Sequence, residues 1–314
     1  MPQADLTAVG EVLVDRVAAV DHPGGSPLNV ALAAARLGLR VDLVGRIGPD
    51  GLGDLIRHRA EDSGVALTHL TMAAEPTSVA TATLDTDGRA HYEFDFEVSA
   101  SLAFTEAELA HVPLGRVLQI GSIAGWHPRS AAPVAALQQR ALAEGTLVSY
   151  DPNPRPSLIT DLAPIRQRVH EGVAAAHVVK ASDEDLHVLY PGTAPADVAA
   201  QWCRLGATLV LVTQGPEGVV AFGATGQIAR VPAPRIEVVD TVGAGDAFTG
   251  GFVAAVCEHR LDTPEALRET AAQDSDRLRR ALEQAVLVSA MTCERAGADP
   301  PTRAQLHTRQ AAAS

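Results

Sequence analysis

The segment 240-DTVGAGDAFTGGFVAAV-256 sets an acidic residue, Asp246, directly after Gly243, Ala244 and Gly245 and at the head of an apolar run of helical length. A glycine turn that opens a helix presents backbone N–H groups at the positive end of the helix dipole. Such a turn suits a phosphoryl group whose charge spreads during transfer, and the same dipole favours a carboxylate at its mouth. The carboxylate can accept a hydroxyl proton while the turn steadies the migrating group. The alternative is a plain tight turn before a buried helix, for which Gly243 and Gly245 serve equally well.

A second cluster lies in 24-GGSPLNVALAAARLG-38. Gly24 and Gly25 permit close backbone approach, and Asn29 heads an amphipathic helix. Upstream, Gly10-Glu11 and Asp15 end a strand, where ligands of open α/β sheets bind. Asp15 and Asn29 together offer acceptors and donors suited to a polyol, although Asn29 also fits a helix N-cap. His22 stands near the glycine pair. Rival chemistries fail on spacing. There is no G-x-x-x-x-G-K-[ST] loop, and neither 51-GLGDLI-56 nor 243-GAGDAF-248 completes G-x-G-x-x-G. A G-x-S-x-G elbow and an H-E-x-x-H pair are also missing. Cys203, Cys257 and Cys293 are too far apart for a zinc site and odd in number, which argues for structural roles. Trp126 and Trp202 read as packing residues.

The elements that must hold these residues alternate along the chain. Strand-like runs at 6-LTAVGEVLVD-15, 41-VDLVGRIG-48, 117-VLQIGS-122, 146-TLVSYD-151, 177-HVVKA-181, 208-TLVLVT-213 and 218-GVVAFG-223 are separated by helix-like stretches. Examples are 29–38, 53–64, 131–145 and 195–206, the first and last ending in Leu-Gly, a common helix stop. Apolar strands alternating with helices predict a mostly parallel sheet covered on both faces. Two segments break the rhythm. Residues 76–96 alternate in polarity around Asp87-Gly88, a hairpin signal, and 11–25 is extended and acid-rich. They predict a small lid beside the sheet. Residues 262–293 read as helical.

At 46% hydrophobic and 20% charged, the chain fits the globular class, and 314 residues allow one large domain. A net charge of −13 argues against nucleic-acid or anionic-membrane partners. The N-terminus lacks signal-peptide features, and no apolar run approaches the roughly 18 residues of a membrane helix. The expected location is the cytoplasm.

Taken together, the two glycine motifs, 45-GRIGPDGLGD-54, 151-DPNPR-155, 180-KASDEDL-186, 213-TQGPEG-218 and 295-RAGADPP-301 resemble the ribokinase-like (phosphofructokinase-B type) carbohydrate kinases over essentially the whole chain. The resemblance implies a single kinase domain over 1–314, a three-layer α/β/α sandwich with lid segments near 11–24 and 76–98. It implies transfer of the γ-phosphoryl group of ATP to a sugar hydroxymethyl. By motif, Asp246 matches the catalytic base and Gly243, Ala244 and Gly245 the anion hole. Asp15, Gly24, Gly25 and Asn29 match sugar contacts, and Thr213, Gly215 and Gly218 the nucleotide turn. Asp240 and the Val242 backbone match part of a monovalent-cation (K⁺) site found in many members. Lids pair across a homodimer in some members.

One run departs from the family pattern. Where Asn-x-x-Glu often stands near the magnesium shell, this chain has 182-SDED-185, with Ser182 for the Asn and Asp185, or Glu184 with a small shift, for the Glu. The family holds Mg²⁺ mainly through water and phosphates. Locally, the same acidic run fits a solvated helix start. The Asp151-Pro-Asn153-Pro-Arg155 run resembles that of fructokinases and 2-keto-3-deoxygluconate kinases, and Arg155 suits a phosphate or carboxylate. Fructose or a similar ketose is the expected substrate. The alternatives are 2-keto-3-deoxygluconate, then ribose or a nucleoside, and a sugar-binding regulator that no longer turns over.

Overall fold

The structure is a computed structural model that describes residues 3–84, 90–272 and 276–313. The first strand, β1 (Leu6–Val9), is buried on both faces, as an inner parallel strand must be. It stops at Gly10, where any side chain would strike the Gly121 carbonyl and the Pro27 ring. The run 6–15, expected as one strand, is therefore two. Past Gly10 the chain leaves the main sheet and makes a hairpin of β2 (Leu13–Val17) and β3 (Val20–Gly24). Its turn, Ala18-Ala19, has positive φ at both positions, the geometry that follows strand twist.

Helix α1 (Ser26–Arg36) is buried from Ser26 through Ala34 and ends before Gly38, at φ 90°. Then come β4 (Val41–Ile47), α2 (Gly51–Asp62, capped by the Asp50 carboxylate on the Gly53 amide), β5 (Leu70–Met72), β6 (Ser78–Leu84) and β7 (Ala90–Phe94). The Asp87-Gly88 turn lies outside the described residues. The middle of the chain alternates α3 (Glu106–Ala110), β8 (Val117–Gly121), α4 (Ala131–Ala143), β9 (Leu147–Asp151), α5 (Leu162–Ala174) and β10 (Val178–Ser182). It continues through α6 (Asp183–Leu189), α7 (Pro195–Leu205), β11 (Leu209–Thr213), β12 (Val219–Gly223) and β13 (Gly226–Val231). The last elements are helices α8 (Ala244–Glu258), α9 (Pro264–Ala272), α10 (Asp276–Cys293) and α11 (Arg303–Ala313).

The main sheet has nine strands in the order β13-β12-β11-β10-β9-β8-β1-β4-β5. Strands β5 through β11 in that order are parallel, and β12 and β13 are antiparallel at one edge. Adjacent residues of a strand enter opposite cores: Leu43 packs with α1, α2, α8 and α10, whereas Val44 faces the layer of α4, α5 and α7. That is a three-layer sandwich. A second, four-stranded sheet has the order β3-β2-β6-β7. The segments read as lid pieces supply its strands, two antiparallel hairpins joined by a parallel β2–β6 pairing that the sequence did not suggest.

Helix α8 is buried from Asp246 to Cys257 and lies between α1 and α10. Gly250 and Gly251 make this possible. A Cβ at Gly250 would stand 2.5 Å from the Ala33 Cβ of α1, and one at Gly251 would stand 3.0 Å from the Val288 Cβ of α10. The glycine pair thus fixes how closely the helix that starts at Asp246 approaches the helix that starts at Ser26.

Candidate active site

Asp246 lies in the first turn of α8 and is 9% exposed. Its Oδ1 accepts a hydrogen bond from the Ser26 hydroxyl at 2.6 Å, and its Oδ2 accepts one from the Asn29 amide at 2.9 Å. Asn29 is therefore no simple helix cap. Its side chain reaches across to α8, and its own Oδ1 is buried with no hydrogen-bond partner among the described residues. Gly243 enters the helix at φ 74°, with Ala298 packed where a side chain would stand. Of the proposed anion-hole residues, Ala244 has its amide turned to the Thr241 carbonyl at 3.2 Å. Gly245 belongs to the first helical turn, whose N–H groups lack partners within the helix.

A Cβ at Gly245 would stand 2.9 Å from Nζ of Lys180. That ammonium projects from β10 and bonds Oδ2 of Asp151, the last residue of β9, at 2.9 Å. Both groups are buried. Burial pushes the Asp151 carboxyl up to about 6 against the opposing pull of Lys180. Burial opposes the Lys180 charge too, but the Asp151, Asp185 and Asp246 carboxylates outweigh it and hold the ammonium above its usual range. At neutral pH the pair is ionised. Oδ1 of Asp151 is a second buried acceptor without a partner among the described residues.

The other flank comes from β2 and the loop after β9. Burial pushes Asp15 up to about 6, partly countered by the Arg155 guanidinium, while the Asp246 charge adds to the rise. Asp15 sits opposite His22 in the hairpin, and its carboxylate occupies the space a side chain at Gly24 would need. Gly25, at φ 98°, lies against the Glu11 carbonyl. Arg155 bonds the Asn153 side chain. Glu11 is fully enclosed, its carboxyl raised by burial, and it accepts the Ile123 and Ala124 amides at 3.3 and 2.9 Å. It thereby holds the loop after β8.

The residues read as nucleotide contacts sit further along the same sheet edge. Ser182 and Thr213 are register partners at the ends of β10 and β11. Gly215 (φ 50°) and Gly218 (φ 91°) shape the turn into β12, and Gly218 packs against the Val231 carbonyl and the Ala233 amide. Beside it lies a shallow, mainly apolar depression lined by Val231, Ala233, Pro234, Val286 and Leu287 together with Glu283. Ser182 and Asp185 form a reciprocal capping box on α6, the Asp185 amide donating to Ser182 and the Asp185 carboxylate accepting the Ser182 amide at 2.8 Å. Glu184 is exposed.

Asp240 accepts the Val242 amide on one oxygen and the Gly297 amide on the other, at 3.0 and 2.8 Å. This stitches the 295–301 loop after α10 to the glycine turn. The far side of that loop is held by Asp299, which pairs with Arg36 at 2.6 Å and Arg59 at 3.2 Å.

The structure thus brings Asp246, Asn29, Asp15 and Arg155 near one another, with Gly24 against the Asp15 carboxylate and Gly25 against the Glu11 carbonyl. Sequence reading passed over Ser26 and the Lys180–Asp151 pair. The available signals were a serine three residues before Asn29, one helical turn away, and a lysine inside an otherwise apolar strand. Trp126 and Trp202 are fully buried, each donating its indole N–H, to the Pro152 carbonyl and the Tyr190 hydroxyl. The three cysteines are free thiols, and burial pushes Cys257 up to about 12. Among the described residues no helix is long and apolar enough to cross a membrane.

A model of the pfkB family carbohydrate kinases matches residues 4–305. A fructokinase of Klebsiella pneumoniae is 36% identical over 245 residues, which covers 76% of this chain and 78% of that one. Fructokinase from Xylella fastidiosa with bound ATP superposes with a TM-score of 0.86 at 27% identity, covering 98% of each chain. Fructokinase from Vibrio cholerae O395 in its fructose-, ADP- and calcium-bound form gives 0.82 at 26% identity, again over 98% of each. With the family model spanning nearly the whole chain and the fold shared with these relatives, this chain belongs to the pfkB family of carbohydrate kinases.

Proposed function

We propose that this sugar kinase transfers the γ-phosphoryl group of ATP to a hydroxymethyl group of fructose or a closely similar ketose. The observation that carries the reading is the Asp246–Asn29–Asp15 constellation: two buried polar side chains beside the half-buried Asp15, with the orphan Asn29 Oδ1 ready to accept from a sugar hydroxyl. Asp15 would accept a second hydroxyl, and Asp246 would take the proton from the attacking one. The Gly243–Gly245 turn and the Lys180 ammonium behind Gly245 would offset charge on the phosphoryl group.

A neutral sugar is favoured over 2-keto-3-deoxygluconate because the Arg155 guanidinium is already engaged: it bonds the Asn153 side chain and its charge acts on the Asp15 carboxyl, partly countering burial there. Thr213, Gly215 and Gly218 would carry the nucleotide phosphates, and the apolar depression beside them suits a flat base. The β2–β3 and β6–β7 sheet would close over the sugar as a lid and exclude water.

Among the described residues no three His, Cys, Asp or Glu side chains converge on a metal ion. The orphan Oδ1 of Asp151, with Asp185 nearby, instead fits a divalent ion held mainly by phosphate and water. Mg²⁺ would be held there, with Asp185, Glu184 and Ser182 ordering its waters, and when bound it would supply charge neutralisation on the phosphates. Asp240, with both oxygens engaged by amides, would shape rather than cage a K⁺ site. The enzyme would act in the cytoplasm, and gel filtration would distinguish a monomer from a lid-paired homodimer.

The test is coupled ADP release with Mg·ATP against fructose, ribose, 2-keto-3-deoxygluconate, fructose phosphates and adenosine, with and without K⁺. Selective turnover of fructose is expected. Selective turnover of 2-keto-3-deoxygluconate or adenosine would overturn the substrate assignment. ATP binding without turnover on any sugar would favour the binding-only regulator.

A further inference from the structure

Ser26 has no part in the roles assigned above, yet this buried residue, 7% exposed, makes the shorter of the two side-chain hydrogen bonds to Asp246, at 2.6 Å. We propose that Ser26 is a positioning residue for phosphoryl transfer, fixing the plane of the Asp246 carboxylate so that Oδ1 faces the acceptor hydroxyl. This rests on the reading of Asp246 as the base.

A carboxylate turns freely about its last side-chain torsion, whose preferences are broad. One hydrogen bond fixes one oxygen; donors on both oxygens fix the plane. Ser26 on Oδ1 and Asn29 on Oδ2 do this from a single turn of α1. Each carboxylate oxygen can accept more than one hydrogen, so Oδ1 keeps capacity for a substrate hydroxyl beside Ser26.

The donor is also rigidly held. Gly25 enters α1 at φ 98° against the Glu11 backbone, and the Pro27 ring lies against Gly10. Nothing in the helix itself calls for a hydroxyl here, because the N-cap position is Gly25 and makes no side-chain cap bond. A buried hydroxyl is costly unless bonded, and alanine would satisfy the packing alone. The serine is explained by its acceptor, 220 positions away in sequence.

The test is steady-state kinetics of Ser26→Ala and Ser26→Thr on the sugar that the wild-type enzyme turns over best. For alanine, kcat should fall about tenfold to thirtyfold, with KM for sugar and ATP within about twofold and Tm little changed. Threonine restores the hydroxyl and should recover most of kcat. Ser26→Cys keeps the volume with a weaker donor, should fall between the two, and carries the test if alanine does not fold. Wild-type kcat in the alanine or cysteine variant overturns the proposal, as does a kcat loss that threonine leaves unrescued. A loss confined to sugar KM would make Ser26 a sugar contact instead. Asp246→Asn, measured alongside, separates the two claims. If that variant stays active, the base assignment itself fails; if it is dead while Ser26→Ala is unaffected, only the Ser26 role fails.

Discussion

Gly250 links the fold to the chemistry, and replacing it with alanine should damage turnover more than stability. A Cβ at 250 would stand 2.5 Å from the Ala33 Cβ and 2.9 Å from the Val30 carbonyl, one a core methyl and the other helix backbone. Carbon atoms in good contact lie about 3.5–4.0 Å apart, so α8 and α1 must separate by about 1 Å. Asp246 lies one turn before Gly250, and Asn29 one turn before Ala33. A separation of about 1 Å would take the bonds that Ser26 and Asn29 donate to Asp246 from 2.6 and 2.9 Å to beyond hydrogen-bonding distance. Overpacking costs about 1–3 kcal/mol, and the gain in helix propensity offsets about 1 of it. Net destabilisation should be about 0–2 kcal/mol, a few degrees in Tm at this size. A misplacement near 1 Å costs about 100-fold in kcat.

The control is Gly251→Ala. Its Cβ would meet Val288 and Ala285 of α10 at 3.0–3.2 Å, a misfit of a few tenths of an ångström. Among the described residues α10 gives Asp246 no hydrogen bond, so kcat should stay within about threefold of wild type. The assay is ADP release at saturating sugar and ATP, with melting curves for both variants. Wild-type kcat in Gly250→Ala, or equal losses in the two variants, would refute the reasoning.

Two further outcomes follow from the buried charges. Lys180→Met leaves the Asp151 carboxylate buried without its partner and should cost about 3–5 kcal/mol in urea unfolding at neutral pH. Adding Asp151→Asn should recover most of that loss; no recovery would mean that the cost is not electrostatic. The Asp15 carboxyl, raised to about 6, is ionised above that pH and loses its charge as pH falls through it. As a proton on Asp15 removes an acceptor for a sugar hydroxyl, sugar KM should rise about twofold at pH 6 and about tenfold at pH 5, relative to pH 7.5. Asp15→Asn should flatten that profile, and a profile unchanged by the substitution would clear Asp15 of the effect.

Much of this was legible in the sequence because the signals were local. Apolar strands with Leu-Gly helix stops gave the sandwich, and a glycine turn before an acid gave Asp246 its place at a helix N-terminus. The misses are long-range. The run 6–15 is mostly apolar on both sides of Gly10-Glu11 and reads as one strand, and the packing of Gly10 on Gly121 and Pro27 shows that it must divide. Nothing in the sequence marks the parallel pairing of β2 with β6, since register between distant strands is set by tertiary contacts. Ser26 reads as a minor residue of a glycine motif until α8 lies beside α1. Lys180 looks anomalous in an apolar strand until Asp151, on the neighbouring strand, supplies its counter-charge. The acidic run 183–185 shows the reverse. Its helix-start reading is realised in the Ser182–Asp185 capping box, whatever part those residues take near a metal ion.

The most direct measurement is turnover of Asp246→Asn beside its sugar binding. Asparagine keeps the size of the side chain and one oxygen but gives up the proton acceptor that the reaction needs. Sugar-dependent ADP release should fall by about 100-fold to 10,000-fold, while calorimetric sugar affinity and Tm remain near those of the wild type. Turnover close to wild type in a variant that still binds sugar would contradict the assignment of Asp246 as the base.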